Sequence, residues 1–388
     1  MTELIHLFVI FCYNRNDAYF RIFYFKVVIV VLKSTFLESI LLRCLNQFNG
    51  ERSIFAIYHL LKGKKSSQTI QDSHLFGLRT LFAAYPMIDR GYLHSTLGVF
   101  CKNGWALPLE RNHHYRLTDK GKGVLDSYMK NQPFPSSLDG WKFHDLQSIF
   151  WGRLSLLVQS LSHIIHEQNR FYPIQREAGI QGWVKQFLNQ CPFSRDDIGH
   201  SLYEELANLL ERRTEMERYI FVMRLSGAHR IGSTYSQISE SIKSDEVYVR
   251  FVFLGTVHFI LNEIRNKQEL FPILFSVIKE FPESSDKPLT ESTKLTLRML
   301  EEGMGLDEIA VLRGLKAATI EDHIVEIALA MPGFSISPFV SAEDVQKIRE
   351  AVHKVNTKQL KVIKSELGDF PVSFFQIRLV LTRGGVLS

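Results

Sequence analysis

EGMGLDEIAVLRGLKAATIEDHIVEIALAMPG, residues 302–333, is the stretch of the 388-residue chain whose residue order implies one particular tertiary unit. Two short apolar-periodic runs, 306–312 and 319–329, flank the tight Gly314-Leu315-Lys316 connection, which is the pattern of a helix-turn-helix. That pattern directs Ile309, Ala310, Leu315, Ile320 and Ile324 inward. Ala310 is small where the two helices would cross, and Gly314 supplies the positive φ of a sharp turn. Ala318 or Thr319 opens the second helix.

Working outward, helical periodicity continues over 341–355, 357–367 and 373–381. Upstream, a linker at 282–288 precedes this C-terminal module of 289–388. The region 142–281 reads as helix throughout, with runs at 143–166, 180–188, 196–224, 235–242, 247–265 and 270–281. Within it, 235–250 has the spacing of a second helix-turn-helix, or simply of a helical hairpin. NQPFPSSLDG opens another linker, 131–141, rich in proline and serine.

The region 34–130 has a different order. Helices are expected at 35–48, 53–61, 67–82 and 88–102, the third capped by Ser66 or Ser67. The period then changes: Trp105, Leu107 and Leu109 alternate, 110–113 forms a polar tip, and Tyr115 and Leu117 alternate again before Thr118 caps a helix. Helices followed by a small hairpin and a helix are the order of a winged helix. Residues 1–33 are apolar, but neither 4–13 nor 19–32 reaches the length of about 18 residues needed to span a bilayer. They are read as an apolar extension foreign to the native protein, ahead of a domain that begins near residue 34, and no membrane partner is expected.

Two motifs carry a family resemblance. The phrase IAxLRGLxxxTIxxHI, at 309–324, resembles the helix-turn-helix at the C-terminal tail of many RecQ-type helicases and of YpbB-like proteins, over roughly 289–383. The phrase YxLTxKG, at 115–121, is similar to the return strand of winged-helix wings, and 50–72 also resembles the N-terminal part of the YpbB-like family. The resemblance implies a mainly α protein with an N-terminal winged helix, an all-α middle and a C-terminal helix-turn-helix module. It further implies an accessory to a RecQ-type helicase in DNA repair or recombination.

The motor itself is missing. Lys62-Gly-Lys-Lys-Ser-Ser lacks the glycine spacing that cradles phosphates, and no GxxxxGK[ST] occurs. No GxSxG or HExxH appears, so no catalytic residue is assigned. Cys12, Cys44, Cys101 and Cys191 lie far apart, which argues for a reducing cytoplasm and against a zinc ribbon. His163 and His166 sit one helical turn apart near Glu167 but lack further ligands, so neither a metal nor a cofactor is expected.

Charge decides where DNA would be met, because phosphate contacts by Lys and Arg dominate affinity. Between 289 and 333 four basic residues face eight acidic ones, and Glu321 and Asp322 stand on the first turn of the second helix, where a reader would enter the groove. Lys316 and Thr319 are the credible contacts there. Lys354, Lys358, Lys361 and Lys364 recur at helical spacing, which predicts one lysine face, either solvated or touching phosphate. Residues 51–130 carry twelve Lys or Arg against six Asp or Glu, so the winged helix has the stronger electrostatic case. There Arg90, His94 and Lys102 are expected to project from the helix before the wing, with Arg111, His113 and Arg116 from the wing itself. The function expected is sequence-tolerant DNA binding by a non-enzymatic accessory protein; the alternatives are a winged-helix transcriptional regulator and a protein-docking scaffold without DNA contact.

Overall fold

The computed structural model describes residues 35–168, 170–281 and 289–383. The apolar extension of 1–33 and the linker of 282–288 lie outside the described residues. In chain order the first elements are α1 (Phe36–Phe48), α2 (Ile54–Lys62), α3 (Ser67–Leu75), α4 (Arg90–Lys102), β1 (Ala106–Pro108), β2 (Tyr115–Leu117) and α5 (Asp119–Asn131). Then come α6 (Gly140–Phe143), α7 (Gln147–Ile165), α8 (Ala178–Gln190), α9 (Arg195–Glu211), α10 (Glu215–Met223), α11 (Tyr235–Ile242), α12 (Glu246–Asn266) and α13 (Pro272–Ser276). The last are α14 (Glu291–Glu301), α15 (Leu306–Arg313), α16 (Ala317–Ala330), α17 (Ala342–Val355), α18 (Leu360–Leu367) and α19 (Phe374–Leu381). The chain is mainly helical, and the one two-stranded sheet among the described residues is the antiparallel wing.

The described residues cluster into two compact units. One gathers Ile40–Asp126, Gly140–Lys142 and 289–383; the other gathers 35–39, Ser127–Asp139 and 143–281. The two ends of the chain, read from the sequence as separate domains at 34–130 and 289–388, therefore contribute to one body. Within it α16 packs against α14, α15 and α19 and also against α3. Polar contacts bind the same segments: the Arg378 guanidinium donates to Gln71 and pairs with Asp322, and the Lys358 backbone N–H donates to Glu51.

The C-terminal fold follows from local chemistry. Gly314 adopts φ 61, its N–H donates to the Val311 carbonyl, and the Leu315 N–H reaches back to Ala310 at 2.9 Å. Those two bonds satisfy carbonyls that the end of α15 would leave unpaired, and only a residue that tolerates positive φ completes them. Ile309, Ala310 and Ile320 form a buried cluster, with Leu315 packed on it, and Ile324 is buried as well. Lys316 occupies the cap position of α16, so the helix opens slightly earlier than Ala318 or Thr319.

In the wing the register pairs Ala106 with Leu117 and Pro108 with Tyr115, and a bridge between Ser53 and His114 ties the start of α2 to the hairpin. Thr118 Oγ1 accepts the Gly121 N–H and donates to the Gly104 carbonyl, which locks the turn from β2 into α5. Gly121 is required there: a Cβ would lie 2.2 Å from the Trp105 carbonyl oxygen.

Several helices stop short of their apolar pattern. The run expected over 67–82 ends at Leu75 because Gly77, at φ 64, lets the Leu78 N–H close on the Ser73 carbonyl. The single helix expected at 196–224 is two, since Thr214 and Glu217 form a reciprocal capping box that starts α10. The run at 270–281 shortens to Pro272–Ser276, and 357–367 to Leu360–Leu367.

In the helical unit α7 is buried along most of its length and packs on α8, α9 and α12. The linker at 131–141 is anchored here: a Cβ on Gly255 of α12 would come 2.7 Å from Pro135, and the Asp139 N–H donates to His258 Nδ1 at 2.9 Å. α12 is long and apolar enough to cross a membrane, but 67% of that window is buried inside the unit, as in a core helix.

Candidate nucleic-acid interface

Position along α2 sets aromatic rings and cations on one surface. Phe55, Tyr58 and Lys62 follow at intervals of three and four, which sets them on one helix face. α4 lies against α2 and brings Arg90 and His94 to that face, and the wing tip brings His113. The Phe55, His94 and His113 rings meet edge to face in all three pairings, with centroids 5.0–5.6 Å apart. The Arg90 guanidinium lies 4.9 Å from the Tyr58 ring centre and 5.7 Å from that of Phe55, and the Lys62 ammonium is 5.3 Å from Tyr58.

Three sequence-expected residues, Arg90, His94 and His113, are therefore brought together. The backbone explains how. Asp89 accepts the Tyr92 N–H and caps α4, and that bond holds its carboxyl below the usual range. His113 sits at φ 63, and its carbonyl accepts the Ile54 N–H that begins α2. Neither Arg90 nor Lys62 forms an ion pair among the described residues. Burial holds the His59 imidazole below its ordinary value, and the charges of Lys64 and Arg90 add to that effect. Lys102, Arg111 and Arg116 are exposed elsewhere on α4 and the wing but make no part of this ring cluster. Phe55, Tyr58 and Lys62 were not singled out from the sequence, though their spacing was the available signal.

The C-terminal cations have a different fate. The single lysine face expected from Lys354, Lys358, Lys361 and Lys364 does not form. Asn356, at φ 46, ends α17, so Lys354 stands on α17, Lys358 in the connection, and Lys361 and Lys364 on α18. Lys354 pairs with Glu366, and Lys364 donates to the Phe370 carbonyl at 2.9 Å. Lys358 donates to the Leu75 carbonyl and lies over the Phe76 ring at 5.0 Å; burial lowers its pKa. Lys361 alone of the four remains exposed without such a contact among the described residues.

In the helix-turn-helix, α16 is covered rather than presented. From His323 to Leu329 every residue is buried, between α14, α3 and α19. Glu326 accepts the Thr293 hydroxyl at 2.8 Å, and burial pushes its carboxyl pKa up. His323 meets the Thr296 hydroxyl at 2.8 Å, while Arg313 donates to the Ser292 carbonyl and hydroxyl. Lys316 is exposed and Thr319 half-buried at the outer end of α16. Beside them Val311 and Leu312 are 80% and 60% exposed, an apolar tip on α15.

The histidine pair of the middle unit is likewise spoken for. His163 stacks on Phe171 with ring centres 4.3 Å apart, and His166 meets His229 edge to face. Among the described residues no group of three His, Cys, Asp or Glu is placed to hold a metal ion.

A family model described as a helix-turn-helix domain matches residues 292–381, which suggests DNA binding by a non-catalytic protein. Protein YpbB of Bacillus subtilis (strain 168) is 36% identical over 349 residues, covering 90% of this chain and 97% of that protein. No solved structure matches the chain.

Proposed function

The chain belongs to the YpbB family, and from that premise we propose that it is a non-enzymatic DNA-binding accessory in the cytoplasm that assists a RecQ-type helicase in repair or recombination. One observation carries the DNA assignment: Arg90 and Lys62 are held over aromatic rings and form no ion pair among the described residues, the Asp89 carboxylate feeling the Lys62 charge only at longer range, whereas the C-terminal cations Lys354, Lys358 and Arg378 are spent on internal contacts. A cation that is pre-positioned but not neutralised is available to a phosphate, and each phosphate so neutralised releases counterions. Binding therefore goes through the α2, α4 and wing face, with little base readout.

The test is a titration of labelled duplex DNA at a ladder of salt concentrations. Affinity should fall linearly on logarithmic axes by about 0.9 in slope per phosphate contact. Replacement of Lys62 and Arg90 together by Ala should flatten that slope, and an unaltered slope would remove the assignment. The helicase assignment draws on the exposed Val311 and Leu312 tip, which suits a protein contact better than a phosphate. Affinity purification of the tagged protein from its native cell should recover a RecQ-type helicase, and should lose it on Val311→Asp with Leu312→Asp. Recovery of no helicase would count against this part alone.

A further inference from the structure

Along α2 the exposed and half-exposed groups run in order: the His113 and His94 rings, the Phe55 ring, the Arg90 guanidinium, the Tyr58 ring and the Lys62 ammonium. A cluster of three rings is thus followed on one face by a cation, a ring and a second cation. A duplex backbone offers phosphates and no accessible base faces, so it would use the cations and leave the rings idle. An unpaired strand offers both, a phosphate for each cation and a flat base for each ring. The seven-residue interval from Phe55 to Lys62 spans about 10 Å of helix, room for about three stacked nucleotides.

We infer that this face is a stacking platform for two or three unpaired nucleotides beside a duplex, so that the protein prefers a duplex with a single-stranded overhang over a blunt one. The inference rests on the DNA-binding reading above and specifies the DNA structure that the same surface takes. His94 and His113 are the exposed rings and are the stacking groups; Phe55 is half-buried beneath them and fixes their angle. Because every base has a π-face, the platform is tolerant of sequence. Arg90 serves the phosphate on the strand's outer side and its own guanidinium plane extends the stack toward Tyr58.

The experiment uses the full chain with two DNA ligands of equal duplex length, one blunt and one with an overhang carrying 2-aminopurine, whose fluorescence falls when it stacks. Two exposed positions are changed, His94→Gln and His113→Asn, the latter because asparagine tolerates the left-handed backbone found at His113. The wild type should bind the overhang about tenfold more tightly than the blunt duplex, the worth of roughly one stacked base, and should quench the probe. The double variant should lose the quench and the preference for the overhang, so that the ratio of the two affinities falls to about one. Equal binding of both ligands by the wild type, or quenching that survives the double variant, overturns the stacking platform while leaving DNA binding intact. No binding of either ligand overturns both readings.

Discussion

The Arg90 guanidinium lies 4.9 Å from the ring centre of Tyr58, one helix reaching across to another. Arg90 is the first residue of α4 and Tyr58 lies midway along α2, so the contact both fixes the angle of the two helices and aims a positive charge outward.

Arg90→Ala should remove one phosphate contact and reduce the slope of log affinity against log salt by about 1. Its cost in stability should be small, about 0.5–1 kcal/mol, the worth of an exposed cation–π contact. Arg90→Lys should keep most of the slope while losing the planar overlap on the ring. Anisotropy titrations at three salt concentrations, with urea unfolding of each variant, separate these effects.

Lys358→Met should behave in the opposite way. Its ammonium serves the Leu75 carbonyl at the end of α3, so its loss should cost about 1–2 kcal/mol of stability. DNA affinity should stay within about twofold, as fits a side chain that contacts protein. Lys361→Met, at an exposed position, should leave stability unchanged to within about 0.5 kcal/mol.

Two glycines of α5 and its entry give a paired test of the wing. Gly121→Ala should destabilise by about 1–3 kcal/mol, because its Cβ meets the Trp105 carbonyl and the Leu117 side chain. Gly123→Ala meets nothing within 4 Å and lies inside the helix, so it should stabilise by about 0.5–1 kcal/mol. Thermal unfolding of both variants reads the sign directly.

His258 makes the helical unit acid-sensitive. Burial, and secondarily the His144 charge, lower its pKa to about 3, while Nε2 meets Gln147 at 2.6 Å and Nδ1 accepts the Asp139 N–H. The unfolded chain takes up this proton near pH 6.5 and the folded one does not until about 3. The contribution is therefore complete above pH 6.5 and is lost progressively down to about pH 3, at up to about 1.4 kcal/mol per pH unit. His258→Gln should lower stability at pH 7 but flatten its decline between pH 6 and pH 4 by about 1 kcal/mol per unit. Denaturant melts across that range check it; an unchanged decline would refute the assignment.

The helix-turn-helix and the wing were legible because each depends on contacts within about twenty residues. Gly314 sets its turn through carbonyls three and four positions back, and Thr118 and Gly121 set the wing entry through neighbours in the same hairpin. Helix ends were less so. Gly77 and the Thr214–Glu217 box stop helices whose apolar pattern runs on, since a local cap outweighs periodicity where the backbone can close on itself. The candidate site was half legible: the charge count pointed to the region of Arg90, and position on the helix and wing to His94 and His113, but the rings beneath them looked like ordinary core residues.

By itself the sequence determined the helical class, the wing, the turn at Gly314 and the electrostatic bias toward the N-terminal region. All of these follow from short-range backbone chemistry or from simple charge totals. Only the tertiary structure decided which charges are available, because that depends on what each side chain meets far away in the chain. α3 covers α16, Leu75 takes Lys358, and Asp322 and Gln71 take Arg378, so Lys358 and Arg378 are consumed by contacts far away in the chain. The Arg90 guanidinium lies over two aromatic rings and forms no ion pair among the described residues, and the rings orient a charge without neutralising it.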